Sequence, residues 1–260
     1  MKVSIVIPTY KRPDYLERLL ESIEQQTFQD FEVIVVDDNS PNLNDYDDVI
    51  KKYQEIFDEF SFITKDENKG APHSRNIGIK KSKYELIALV DDDDEWLPLK
   101  LEKQVKVFEE GTDKLGLVYT WTQALDENNN QVYLSQNTLN GNQVVSILKN
   151  CFMISASVMV LKKAIIDVGL FDETFPSCQD WEMWTRILNK YECDYVSEIL
   201  TVYYKHSNDS IGLSKNALIG YKKYYIKNMF LAFRKLTLID FIKYIKSFIG
   251  IVRKIRNEKN

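Results

Sequence analysis

Asp91–Asp92–Asp93–Asp94, followed at once by Glu95, is the longest run of hard oxygen donors in the chain. Carboxylates packed this closely bind Mg²⁺ or Mn²⁺, and such a cation can bridge to a phosphate. The alternative is a solvated acidic turn. The surroundings favour the metal. Leu86–Ile87–Ala88–Leu89–Val90 precedes the acids, and a short apolar run reads as a strand buried on both faces. Four aspartates cannot extend it, because Asp is a poor strand former and like charges repel. They sit at its carboxyl end, where open α/β sheets bind ligands. Trp96, Leu97 and Pro98 follow and should tie the turn down.

A second buried run, Phe31–Val36, also ends in acid, at Asp37–Asp38–Asn39–Ser40. Two such ends from one parallel sheet put their acids on the same edge. A helix cap or an Asx-turn is the competing reading for this pair. Arg75, just before the Leu86 strand, could hold a phosphate or a carboxylate bidentately. Taken alone, it reads better as a structural ion pair to an aspartate. His73 suits an exposed helix position as well as a site. Asp180 lies between Cys178 and Trp181 at a helix start, where an N-cap is the ordinary role. A partly desolvated carboxylate beside aromatics can also act as a general base, since burial raises its pKa toward working pH. Trp181 and Trp184 have faces that suit sugar rings as well as cores. His206 could be a metal ligand or a phosphate contact; on its own it reads as a surface histidine.

These residues need a scaffold, and the order of elements supplies one. Val3–Ile7 is a buried strand that stops at Pro8, and a helix carrying Leu16, Leu19, Leu20 and Ile23 follows. Strand and helix alternate three times before Asp91, which argues a parallel sheet with right-handed crossovers. Beyond Asp94 the pattern gives a helix over 97–108, strands near 116–121 and 155–160, a hairpin through 132–134, and a short helix closed by Gly169. A helix follows over 180–190, then an extended segment over 195–204, and helix from 216 onward. The chain of 260 residues suits one large α/β domain with an appendage. Apolar residues make up 44% and charged residues 28%, ordinary for a soluble globular protein, and nine glycines and six prolines exclude fibrous and low-complexity classes. Cys151, Cys178 and Cys193 are an odd number without metal-type spacing, which points to a reducing compartment. Met1–Ile5 reads as strand and not as a signal peptide, and no apolar run has the length of a membrane span.

In order along the chain, Ser4–Ile5–Val6–Ile7–Pro8–Thr9–Tyr10, Val35–Val36–Asp37–Asp38–Asn39–Ser40, Asn68–Lys69–Gly70 with Arg75–Asn76, Val90–Asp91–Asp92–Asp93–Asp94–Glu95–Trp96 and Gln179–Asp180–Trp181–Glu182 resemble glycosyltransferase family 2, over about residues 1–210. Members are inverting enzymes of the GT-A fold. The resemblance implies a Rossmann-like, mostly parallel central sheet flanked by helices. It divides the chain into a glycosyltransferase domain over 1–212 and a helical tail over 213–260. Within the domain, 1–110 would bind the nucleotide sugar and 111–212 the acceptor. Pro8, Thr9, Tyr10 and Arg12 would line the nucleotide site. Asp38 would bond the base, uracil in most members, and Arg75 would sit by the base or the phosphates. Asp91 and Asp93 would hold Mn²⁺ or Mg²⁺, with Asp92 free to contact the ribose. His206 matches a loop that in many members closes over the diphosphate, and it joins the metal set. Asp180 would be the catalytic base. Two departures stand out: Gln179 replaces a frequent Glu, and Asp92 adds a charge where the family often has a small residue. The reaction implied is metal-dependent transfer of a sugar from a UDP-sugar to a hydroxyl of a glycan or lipid-linked acceptor, as in bacterial surface-polysaccharide synthesis. Sugar-phosphate nucleotidyl transfer is the alternative, but it wants a glycine-rich basic loop after the first strand, and Ile7–Pro8–Thr9–Tyr10 lacks one. A non-catalytic nucleotide-sugar-binding module is a third reading, and no site acid is missing to support it.

The net charge of −5 is uneven. Residues 221–260 carry eleven Lys/Arg against Asp240 and Glu258, a net of +9, so the remainder stands at −14. Leu238, Phe241, Ile242, Ile245, Phe248, Ile249, Val252 and Ile255 follow helical spacing, with Lys243, Lys246 and Lys254 on the other side. Such a helix either packs on the core or lies in an anionic membrane surface. The second case would place a cytoplasmic protein peripherally on the inner face of the cell membrane. No nucleic-acid-reading module is recognisable.

Overall fold

A computed structural model describes residues 1–126, 128–205 and 214–257, the side chains of 256 and 257 excepted. The elements are β1 (Val3–Thr9), α1 (Pro13–Glu24), β2 (Phe31–Asp37), α2 (Asp47–Ile56), β3 (Phe60–Thr64), α3 (Ala71–Lys81), β4 (Leu86–Leu89), β5 (Glu95–Trp96), α4 (Lys100–Glu110), β6 (Leu115–Leu125), β7 (Gln131–Ser135), α5 (Val144–Lys149), β8 (Val158–Leu161), α6 (Lys162–Val168), α7 (Gln179–Leu188), β9 (Glu192–Tyr204), α8 (Lys215–Lys235) and α9 (Leu238–Asn257). One sheet runs β3-β2-β1-β4-β8-β6-β9-β5, with β7 added on β6. Its first four strands are parallel, and β6 and β9 are parallel too, while β8 and β5 enter antiparallel. The parallel strands β1–β4 are what the alternating pattern predicts, and the mostly parallel sheet with flanking helices is the one the resemblance implies; the antiparallel entry of β8 and β5 is not in the pattern.

Register explains why the acids converge. Thr9 lies opposite Asp37, and Val6 lies opposite Leu89, so β1, β2 and β4 all end toward one edge. All seven residues of β1 and of β2 are buried, because helices cover both faces. Val90 ends the apolar run, and β5 then carries Trp96 into the core. Its indole Nε1 donates to the Ala156 carbonyl at 2.9 Å, which anchors the far side of the acidic turn. Sequence patterning misses β5 because two residues are too few to show a period.

The C-terminal segment is not one helix. Leu236 and Thr237 break it, and α9 folds back on α8 with Tyr225 and Tyr244 ring centroids 4.5 Å apart. Tyr244 is buried, and Phe241, Phe248 and Ile251 pack against the cluster around Trp181 and Trp184. Packing on the core therefore holds for Phe241 and Phe248 of that stripe, whereas Leu238, Ile242 and Ile249 are exposed. The same cluster corrects the sugar-platform reading of the two tryptophans. Both are buried, and Trp181 stacks on Tyr224 at 3.9 Å. Among the described residues no helix is long and apolar enough to cross a membrane. The three cysteines are free.

Candidate active site

A cavity of about 170 Å³ opens at the converging strand ends. Pro8, Thr9, Tyr10 and Arg12 line it from the β1–α1 connection, Asp38 from the end of β2, Ala71 and Arg75 from α3, and Asp91, Asp92 and Asp93 from the acidic turn. All eight residues expected at the nucleotide site, and the expected metal ligand Asp93, face this one space. A second, open cleft of about 980 Å³ shares Arg75 and Asp91 with it. Asp180, Gln179, Asp94, Tyr133, Tyr203 and Lys205 line that cleft, with Tyr221 contributed by α8.

The carboxylates differ in what holds them. Asp93 Oδ2 accepts from Arg12 Nη1 at 2.6 Å. Asp91 is paired with Arg75, whose other terminal nitrogen donates to Gln179 Oε1 at 3.3 Å. Arg75 is buried, so this bridge ties the acidic turn to the first turn of α7. The structural ion pair expected of Arg75 is present, and it stands inside the site. Asp92 is 1% exposed, accepts from Thr9 Oγ1 at 2.8 Å and lies 3.3 Å from Arg12 Nη2. Burial pushes its carboxyl up to about 7, against the pull of Arg12. Asp92 thus lines the cavity with a carboxylate already engaged by Thr9 and Arg12 from the neighbouring connection.

Asp38 is likewise committed. Its oxygens accept from Lys69 N at 3.0 Å and Gly70 N at 2.8 Å, and its carboxylate pairs with the buried Lys65 ammonium. Gly70 makes this possible, because its φ of +84° before α3 is a conformation that side-chain-bearing residues avoid. Asp37 makes the turn bonds instead, accepting from Ser40 N at 2.9 Å. Asp38→Ala should therefore do more than weaken a nucleotide. It leaves Lys65 buried and unpaired, which costs about 3–5 kcal/mol when one partner of such a pair is removed. Urea unfolding should show a loss of that size; stability within 1 kcal/mol of wild type would mean that Lys65 finds water, and that Asp38 is available to a base.

Asp180 occupies the first turn of α7, but it is not the cap. Cys178 is, with φ +60° and no side-chain capping bond. Asp180 Oδ1 accepts from Trp181 N at 2.8 Å. Burial pushes its carboxyl up, Asp91 adds to this, and Arg75 opposes it. Glu182, two residues on, is fully buried and held by Arg186 at 2.7 Å and Lys227 at 2.9 Å, so it serves the fold. His73 lines neither cavity. His206 lies outside the described residues.

Sequence reading counts Asp94 among the four acids but gives it no role of its own. It is buried, and its Oδ1 has no hydrogen-bond partner. Burial, helped by the charge of the other three acids, pushes its carboxyl well above the usual range. Its place in the run was the available signal. The donor set suits a hard cation. Among the described residues no three acids, histidines or cysteines stand together as a ready-made cage. Mg²⁺-type sites use one or two carboxylates and complete their shell with substrate phosphates and water, so Asp91 and Asp93, which line one cavity, fit that role.

Comparison with known proteins accords with this geometry. The family model "Glycosyl transferase family 2" matches residues 4–170. An uncharacterized glycosyltransferase of Methanocaldococcus jannaschii, MJ1057, is 33% identical over 244 residues, which span 88% of this chain and 83% of that protein. The O-antigen biosynthesis glycosyltransferase WbnJ of Escherichia coli is 30% identical over 227 residues, 85% of each chain. Among solved structures, S. aureus TarS 1-349 in complex with UDP-GlcNAc superposes with a TM-score of 0.72 at 19% identity, covering 97% of this chain and 82% of that one. The mannosyltransferase PcManGT of Pyrobaculum calidifontis, in complex with GDP-Man and Mn²⁺, gives 0.65 at 15% identity over 98% and 69%. The two structures share the fold; the sequence matches carry the kinship, and by them the chain belongs to glycosyltransferase family 2, the inverting glycosyltransferases.

Proposed function

We propose that the small cavity binds a nucleoside diphosphate sugar, a UDP-sugar, and that the open cleft admits a glycan or lipid-linked glycan whose hydroxyl attacks it. The observation that carries this reading is the shared wall: Arg75 and Asp91 border both spaces, and Asp180 borders the second. Residues 1–110 then form the donor half and 111–212 the acceptor half. The acceptor oxygen forms its bond to the anomeric carbon as the bond to the diphosphate oxygen breaks, and the electron pair leaves with the diphosphate. Asp180 takes the hydroxyl proton. Single displacement inverts the centre, and holding both substrates across one wall lowers the entropic cost of their meeting. Arg12 and Arg75, each paired with an acid of the turn, would bring two guanidinium groups to the leaving diphosphate in that cavity. Mn²⁺ or Mg²⁺ held by Asp91 and Asp93 would supply Lewis-acid stabilisation of the same charge. Tyr133, Tyr203 and Tyr221 offer ring faces in the cleft to a sugar acceptor.

Two findings support the donor and acceptor classes: a TarS structure holds UDP-GlcNAc, and WbnJ acts in O-antigen biosynthesis. Incubation with a panel of UDP- and GDP-sugars and Mn²⁺ should release nucleoside diphosphate slowly from UDP-sugars. Thermal shifts should rank the same donors first. Release of inorganic pyrophosphate from a nucleoside triphosphate and a sugar phosphate, with no donor hydrolysis, would instead establish nucleotidyl transfer.

A further inference from the structure

The turn between α8 and α9 carries a surface that the fold leaves uncovered. The inner faces of the two helices meet through Tyr225, Tyr244 and Phe241. Outward from them, Phe230 is 70% exposed, Phe233 67%, Leu238 75% and Ile239 68%, with Ile242 beside them. Phe230 and Phe233 share a face of α8 by their spacing, and Leu238 and Ile242 share one of α9. The two stripes flank the break at Leu236–Thr237. Single exposed apolar residues need no explanation, but five grouped at one turn mark a contact surface. Arg234, Lys235, Lys243 and Lys246 are exposed around them. The single acid between 215 and 257 is Asp240, and it is bound to Lys149 at 2.7 Å.

We propose that this turn inserts its apolar tip into the headgroup region of an anionic lipid bilayer while the surrounding cations meet the lipid charge. Charge decides the occupant. A twofold contact between two such tips would press basic residues against basic residues, whereas an anionic bilayer matches both the apolar wedge and its basic rim. The placement is also useful. Tyr221 lines the open cleft, and Phe233 lies twelve residues further along the same helix, about 18 Å at 1.5 Å per residue. A bilayer gripped by the tip lies within reach of that cleft, so an acceptor anchored in the membrane would be presented to it. The docking surface itself stands independently of the reaction assigned to the cleft.

Vesicle co-sedimentation of the full chain tests this without any turnover. Wild type should sediment with vesicles of mixed phosphatidylglycerol and phosphatidylcholine, and should be released by salt. The combined variant Phe230→Ser, Phe233→Ser, Leu238→Ser and Ile239→Ser should bind at least about tenfold more weakly. Its solution donor hydrolysis should match wild type, because none of the four lies in the core or in either cavity, and its thermal midpoint should fall only by the loss of the Phe233–Phe241 edge contact. Lys235→Gln, Lys243→Gln and Lys246→Gln should each weaken binding roughly fivefold. Three outcomes would overturn the proposal: wild type left in the supernatant with anionic vesicles, equal binding to pure phosphatidylcholine, or a wild-type dimer that the four-serine variant converts to monomer without vesicle binding. The last would make the tip a contact between copies of the chain.

Discussion

Asp180→Asn should keep the wild-type melting temperature and lose turnover by about 10²–10⁴-fold, the usual worth of a general base. The structural reason for equal stability is local. Cys178 holds the cap position of α7, and the bond Asp180 makes is acceptance from Trp181 N, which an Asn carbonyl oxygen can also accept. An Asn cannot take a proton. The pH profile adds an independent readout. Burial, helped by the charge of Asp91, raises the Asp180 carboxyl above its ordinary value, while Arg75 pulls it back. A base works only when deprotonated, so kcat/KM should fall as pH falls through that raised pKa. The acid limb should therefore stand above the ordinary Asp value of about 3.9, and it should disappear in the variant. Donor affinity should hold, since Asp180 faces the open cleft and not the nucleotide cavity. Wild-type turnover in the variant would remove Asp180 from the chemistry. Glu182 could not replace it, because Arg186 and Lys227 hold it in the core.

Loss of metal response is the second large effect, expected for Asp93→Asn. The residue lies beside the donor cavity, partly open to solvent and paired with Arg12. Arg12 keeps a partner in Asp92 when Asp93 loses its charge, so the fold should survive. A cation stabilising the leaving diphosphate is worth several kcal/mol. Losing about 3 kcal/mol of that lowers the rate about 10²-fold. Calorimetry should show that Mn²⁺ no longer strengthens UDP binding to the variant. An unchanged metal requirement at full activity would move the site away from Asp93.

Much of this was legible in the chain. Val3–Ile7, Phe31–Val36 and Leu86–Val90 each announce a buried strand by an unbroken apolar run, and two of them run into acids. A parallel sheet with one edge of strand ends follows from that order alone. The meeting of Pro8, Thr9, Tyr10, Arg12, Asp38 and Asp91–Asp93 in one cavity needed more than that order: it is what the family resemblance implies. Element limits were less legible. The two-residue β5 and the break at Leu236–Thr237 have no period of their own to detect.

The sequence by itself determined the sheet, the edge where its acids collect and the family, because hydrophobic period and motif order are properties of neighbouring residues. Tertiary structure alone decided what each charged group does there. Asp92 turns in to Thr9 and Arg12, Asp38 pins Gly70 and Lys65, Arg75 joins Asp91 to Gln179, and Glu182 is spent on Arg186 and Lys227. It also split the C-terminal apolar stripe, burying Tyr244 and leaving Leu238 and Ile239 bare. The reason is physical. A side chain's charge state and availability depend on the partners and the burial it meets, and those arrive from segments tens to a hundred residues away, whose approach no local spacing encodes.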